Sequence, residues 1–207
     1  MIRGLSLTQP WASLVAIGAK RIDTRDWQSG YRGWVAIHAS RAFPPFAREA
    51  CLEEPLRAAL VRAGLLACTM AEWAAWGDGQ DSWLLRVDGK VAAMERLPRG
   101  AIVAVANLHH VGEIRAAAPD RGPGAVYVHP SEHCVGDAER AVGNYALGRY
   151  GWVFTGIQAL AEPIPCKGAL SLWPVPADVE DQIDAQVGHQ ATTAAPGTQR
   201  RRDGEDR

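Results

Sequence analysis

Three side chains lying close together carry the first chemical signal: Lys20, Asp23 and Arg25, in the run GAKRIDTRDW over residues 18–27. A guanidinium offers a planar fork of donors, an ammonium a movable positive charge, and a carboxylate accepts from an exocyclic amine. Such a set could hold a phosphate or a nucleobase. It could equally be a surface ion-pair set, in which Asp23 neutralises two cations for little gain in stability. Aromatic rings crowd the same stretch: Trp11, Trp27, Tyr31 and Trp34. Stacking on one ring stabilises a bound base by about 1–3 kcal/mol. Apolar periodicity assigns Trp11 and Trp34 to the core, whereas Trp27 and Tyr31 fall in a polar loop and are the better platforms. Arg32 adjoins them. His38 ends the next apolar run, either facing a cleft or hydrogen-bonded in its wall.

These residues need a scaffold. Leu5–Leu7 reads as a short strand, and Thr8 as the N-cap of a helix whose first turn contains Pro10. Trp11, Leu14 and Val15 share one face of that helix, and Gly18 stops it. In the extended segment that follows, alternate residues share a face. Ile22 and Thr24 are therefore expected on one side, and Arg21, Asp23 and Arg25 on the other.

The pattern Ser-Leu-x-Gln-Pro-Trp, then Gly-x-Lys-x-x-Asp-x-Arg-x-Trp, then Gly-x-Val-x-Ile-His-Ala resembles the ASCH domain, a family of the PUA-like superfamily of small β-barrels that handle RNA. The likeness covers residues 4–40 and resumes at 100–114 and 152–173, where EPIPCKGALSLW is similar to the family's closing strands. It implies that the segment carrying Lys20, Asp23 and Arg25 lines a ligand cleft, with Lys167 near the mouth. Some relatives with this fold are amidohydrolases of N4-acetylcytidine that use a lysine matching Lys20 and a threonine three residues later. Here that position is Asp23, and Thr24 stands one place on. A one-residue shift in a strand moves a side chain to the other face, so Thr24 is expected to point into the wall. Asp23 could still serve as a general base for water if Lys20 polarised the carbonyl.

Composition bounds the rest. A chain of 207 residues with 47% apolar content has room for one ordinary domain. No apolar run approaches the roughly 20 residues of a membrane helix, and no apolar signal core opens the chain, so a cytoplasmic protein without membrane contact is expected. Cys51, Cys68, Cys134 and Cys166 make no CxxC pair and read as reduced, mostly buried thiols. Residues 1–45 carry six basic groups against two acids, a net of +4, within a chain of formal net charge −1. Positive potential there would favour phosphate, although arginine is abundant throughout. The stretch His129-Pro-Ser-Glu-His133-Cys134 lacks structural-zinc spacing, so no metal and no cofactor is expected. His109 and His110 alternate faces, so at most one of them can enter a site.

Further along, Pro44–Pro45 introduces a helix to about Ala63, divided at Pro55 and ended by Gly64. Thr69 with Glu72 forms a capping box for a short helix, Met70–Trp76. Residues 82–97 fit either a hairpin around Asp88–Gly89 or part of a helical lid. Strands are expected at Ala101–Val111 and Tyr150–Leu160, with a last short element at Gly168–Pro174. Residues 116–150 read as a long loop with a helical turn near Glu139.

The expected fold is thus α+β: a small mixed PUA-like β-barrel with flanking helices. The domain spans residues 1–176, with 44–99 a mainly helical insertion, and 177–207 a disordered tail. The expected work is binding, or processing, of RNA or a modified nucleoside in a cleft built from Lys20, Asp23, Arg25, Trp27, Tyr31, Arg32, His38 and Lys167. A hydrolase of the N4-acetylcytidine amidohydrolase or ribonuclease type, with Lys20 and Asp23 catalytic, is the enzyme alternative. A protein-binding adaptor, using Trp73, Trp76 and Trp83 within residues 69–97, is the third.

Overall fold

The computed structural model describes residues 1–67, 83–87, 90–117, 124–131 and 133–188. Apolar Leu5 and Leu7 anchor β1 (Arg3–Leu7), and helix α1 (Trp11–Ala16) follows. The cap differs from expectation. Gln9, fully buried, accepts from Ser13 N–H at 3.1 Å and donates to Ser13 Oγ and the Pro98 carbonyl, whereas Thr8 contributes only its backbone carbonyl. An amide reaches both the helix and the strand entry, which a threonine hydroxyl is too short to do. Gly18 ends the helix with φ +73°, a conformation a β-carbon disfavours, and Lys20 N–H then bonds back to the Leu14 carbonyl.

Next come β2 (Ile22–Arg25) and β3 (Gly33–Ala39), and β3 runs parallel to β1. Two proline-introduced helices, α2 (Pro45–Ala50) and α3 (Leu56–Arg62), lead into a separate small sheet of β4 (Leu66–Ala67), β5 (Trp83–Val87) and β6 (Lys90–Glu95). Among the described residues, the 44–99 segment is therefore helical in its first half alone. In the second, β-branched and apolar residues pair as strands, with Val87 opposite Lys90. The expected Met70–Trp76 helix lies outside the described residues. The main sheet continues with β7 (Ala101–Ala116), β8 (Val126–Val128) and β9 (His133–Cys134), then a single turn α4 (Asp137–Arg140). It ends with β10 (Tyr150–Pro165) and β11 (Leu172–Pro174).

Pairing follows the path β11–β1–β3–β7–β10–β2, with β8 and β9 attached beside β7. The fold is α+β, built on one mixed sheet of eight strands. The path does not close, so by hydrogen bonding the sheet is open rather than a barrel. Three register shifts along the β7–β10 pair bend it. The end strand β2 is linked by a side chain to β1, the strand next to the other end, as the Arg25 guanidinium on β2 donates to the Ser6 carbonyl on β1 at 2.9 Å. Leu5, Ile37, Leu108, Trp152 and Phe154 form one core against α1. Among the described residues, no helix is long and apolar enough to cross a membrane. Cys51 is buried, but Cys134 is exposed and Cys166 half-buried.

The largest departure is at the C-terminal side. Residues 177–187, expected to be disordered, form helix α5 (Ala177–Val187) on the opposite face of the sheet. The acid-rich composition concealed an i, i+4 pair, Val179 and Ile183, that packs against Ala36, Ile102 and Val105. Asp178 and Glu180 sit in the first turn, where the helix dipole favours anions, and Glu180 also accepts from Ile2 N–H at 2.7 Å. The expected disorder beyond Gly188 falls outside the described residues.

Ile183→Ala should therefore cost about 2–4 kcal/mol, read as a lower urea midpoint at unchanged slope. A pH dependence follows from β6. Glu95 is fully buried, neither carboxylate oxygen has a hydrogen-bond partner among the described residues, and burial raises its pKa to about 7. Its folded pKa exceeds the unfolded value of 4.5, so the stability it contributes is full below pH 4.5 and is lost as pH rises through about 7. Glu95→Gln should flatten that decline in denaturation curves taken across the range.

Candidate functional site

Between the end of β1 and β2 lies a cleft of about 600 Å³. Lys20, Asp23, Arg25 and Trp27 line it, together with Thr24, Asp26 and Arg149. The end of β1 and Trp11 of α1 form its back. Phe46, Ala50, Glu53 and Leu56, from α2 and α3, supply one wall, and Ala141–Asn144 the other. The insertion thus contributes to the site rather than only decorating it.

Asp23 and Arg25 lie on one side of β2, as alternation requires, and pair at 2.7 Å. Asp23 is opposite Trp152 of β10, in line with the core face. Arg21 does not join them. It precedes the strand and borders a different hollow beside Phe154, while its N–H is held by Glu139. Thr24, expected to be walled off, is among the cleft residues, and its carbonyl accepts from Arg149 at 3.0 Å.

Lys20 is only 1% exposed, which sets aside the surface ion-pair alternative for this residue. The Leu14–Lys20 backbone bond after Gly18 turns it inward. Its ammonium donates to the Tyr145 hydroxyl at 2.9 Å and lies 3.5 Å from Glu139 Oε1. The single Tyr145 proton goes to Glu139 Oε1 at 2.6 Å or to the Ile22 carbonyl at 2.8 Å. Glu139 further accepts from Arg21 and Ile22 N–H, so it fixes the start of β2 as well as the lysine. Burial lowers the Lys20 pKa, opposed by the charges of Asp23 and Glu139. The Tyr145 pKa moves up, through burial first and then Glu139. Gly143 is required here, since a β-carbon would meet Lys20 Nζ at 2.6 Å and the Tyr145 ring at 2.8 Å.

The other expected residues are distributed differently. Trp27 packs edge-on against Trp152 at 4.6 Å and keeps partial exposure in the cleft. Trp11, expected in the core, also borders it, with its indole N–H bonded to the Val142 carbonyl. Tyr31 and Arg32 are not cleft residues. Tyr31 donates to the Trp34 carbonyl, and Arg32 to the carbonyls of Ser29, Tyr31 and Val111. The two side chains thus satisfy backbone carbonyls of the β2–β3 loop and of the neighbouring strands β3 and β7. His38 and Lys167 border a second pocket of about 730 Å³. His38 is 3% exposed, its Nδ1 3.1 Å from Ser6 Oγ and its Nε2 3.0 Å from the Cys166 carbonyl, and burial lowers its pKa. A carbonyl can only accept, so neutral His38 carries its proton on Nε2, and the single Ser6 hydroxyl proton goes to His38 Nδ1 or to the Ala169 carbonyl at 3.0 Å. Trp73 and Trp76 lie outside the described residues.

Sequence reasoning missed Ser6, Glu139, Tyr145 and Arg149. Ser6 stood in plain view within the opening motif. The others lie in the stretch read as a loop, where no periodicity marked them. Comparison with protein-family models and with curated proteins finds no match to this chain.

Glu139→Gln should lower the Lys20 titration midpoint further, because a charge that favours the ammonium is removed. It should also cost about 1–3 kcal/mol, since one amide oxygen cannot replace two carboxylate oxygens. NMR titration of Lys20 and chemical denaturation check the two effects.

Proposed function

We propose that the chain is an ASCH-type domain, a PUA-like barrel drawn together by Arg25, and that its cleft binds one nucleobase of a modified nucleoside or RNA. The observation that carries this reading is the convergence of Lys20, Asp23, Arg25 and Trp27 on one cavity. Asp23 offers acceptors to an exocyclic amine, and Arg25 and Lys20 bring donors. Trp27 and Trp11 are the rings a base can lie against. The volume falls within the range of small-molecule sites, about 300–1,000 Å³. Charge argues the same way. Lys20, Arg25 and Arg149 are balanced by Asp23, Asp26 and Glu53, so no bulk positive potential draws a strand into this cleft. One nucleoside-sized unit is the better occupant.

A hydrolase is the second reading, favoured by the desolvated amine of Lys20 beside Tyr145 and Glu139. Water would add to the acyl carbon of an N4-acylcytidine, breaking the amide C–N bond and releasing the carboxylic acid and cytidine.

Calorimetric titration with a panel of nucleosides tests the binding reading. Because Lys20 is buried, Lys20→Met is the suitable variant. Lys20→Met and Arg25→Gln should each weaken binding by roughly tenfold or more, as charged hydrogen bonds of about 1.5–3 kcal/mol are lost. Trp27→Ala should lose about 1–3 kcal/mol with no change in salt dependence. Absence of binding by any nucleoside at millimolar concentration would sink the reading. Release of acetate from N4-acetylcytidine, abolished by Lys20→Met, would establish the enzyme.

A further inference from the structure

We infer that the second pocket is an anion subsite that takes the phosphate of a nucleotide whose base occupies the cleft. This rests on the nucleobase reading of the cleft and names the ligand more closely: a nucleotide rather than a free nucleoside. Ser6 borders both cavities. Its carbonyl faces the cleft side, held by Arg25, while its hydroxyl meets His38 on the other. One residue of β1 therefore separates the two spaces, a span a base and its phosphate can bridge.

The charge contrast is decisive. Among the described residues, the cleft balances three cations with three carboxylates. The second pocket is lined by Arg41 and Lys167 and, among the described residues, by no carboxylate. Both cations are exposed, and neither makes an ion pair among the described residues. Two positive groups match the roughly −1.5 to −2 charge of a phosphate monoester.

Neutral donors add to them. Ser40 Oγ accepts from Ala42 N–H at 3.2 Å, which leaves its own proton to donate. Among the described residues, the N–H groups of Lys167, Gly168, Ala169 and Leu170 make no backbone hydrogen bond. Phosphate oxygens accept from such groups.

The floor is fixed. Ser6 Oγ accepts from the Trp173 indole N–H and donates its one proton to His38 Nδ1 or the Ala169 carbonyl, and His38 is tied to the Cys166 carbonyl. A β-carbon on Gly168 would fall 2.4 Å from His38 Nδ1 and 2.7 Å from Ser6 Oγ. Only glycine allows the loop to lie this close, so the donors of residues 167–170 are preorganised over a rigid base.

Calorimetry with cytidine, its 5′- and 3′-monophosphates, the dinucleotide CpC and inorganic pyrophosphate tests the inference. These are run on the wild type, on Arg41→Gln/Lys167→Gln and on Arg25→Gln. One monophosphate should bind roughly tenfold or more tightly than cytidine. The double variant should lose that gain and keep its cytidine affinity. Pyrophosphate should shift the Trp173 indole N–H resonance in the wild type alone. A gain that persists in the double variant, or that only Arg25→Gln removes, overturns the subsite. Equal gains with monophosphate and CpC assign a mononucleotide, and a larger gain with CpC assigns an RNA chain; either supports the pocket. If pyrophosphate binds the wild type and not the double variant while cytidine never binds, the anion pocket stands and the nucleobase reading falls.

Discussion

An ammonium group withdrawn from water obliges a protein to surround it with acceptors, and Lys20 imposes that requirement on this fold. Desolvating a charge without partners costs several kcal/mol, so the acceptors must arrive together with the lysine. They come from far along the chain: Tyr145 directly, Glu139 at 3.5 Å, and the field of Asp23. Because Glu139 also binds the first two amides entering β2, the same contact that accommodates the charge sets where that strand begins. The position of Asp23 and Arg25 follows from there. A segment without regular periodicity, residues 137–145, is thereby as necessary to the cleft as the strands are.

Arg25 performs the complementary task at the edge. An open sheet leaves unpaired backbone groups on its end strands, and those of β1 beyond Leu5 lose β11 as a neighbour. The guanidinium satisfies the Ser6 carbonyl and neutralises Asp23 at once. One side chain thus holds together two strands that do not pair. It also accounts for how a cleft and a second pocket come to lie on either side of a single residue.

Much of the fold was legible where periodicity is strong. β1, β3, β7 and β10 are runs of β-branched and apolar residues, and α1 ends at a glycine whose φ is positive. Legibility failed where tertiary context outweighs local pattern. Val179 and Ile183 form an apolar stripe too short to register against six charged or amide neighbours. The second half of the 44–99 segment carries apolar residues compatible with either helix or strand, and pairing settled it. For the site, the spacing of Lys20, Asp23 and Arg25 sufficed to bring them together. Tyr31 and Arg32 lie outside the cleft: their types suit both ligand contact and the satisfaction of backbone carbonyls, and nothing in a linear string tells these apart. Glu139 and Tyr145 act through a contact that spans more than a hundred residues, which no local reading reaches.

The pairing of β1 also has a kinetic consequence. Gly4 lies between Ala36 on one side and Trp173 on the other, and a β-carbon on Gly4 would strike the Trp173 ring at 2.4 Å. During synthesis residues 3–7 can pair with β3 early, but their other edge stays bare until residues 172–174 leave the ribosome. Loop closure over such a span is slow relative to local pairing. Between those two points of its elongation the nascent chain presents an open strand edge, and Trp173 is what shields it.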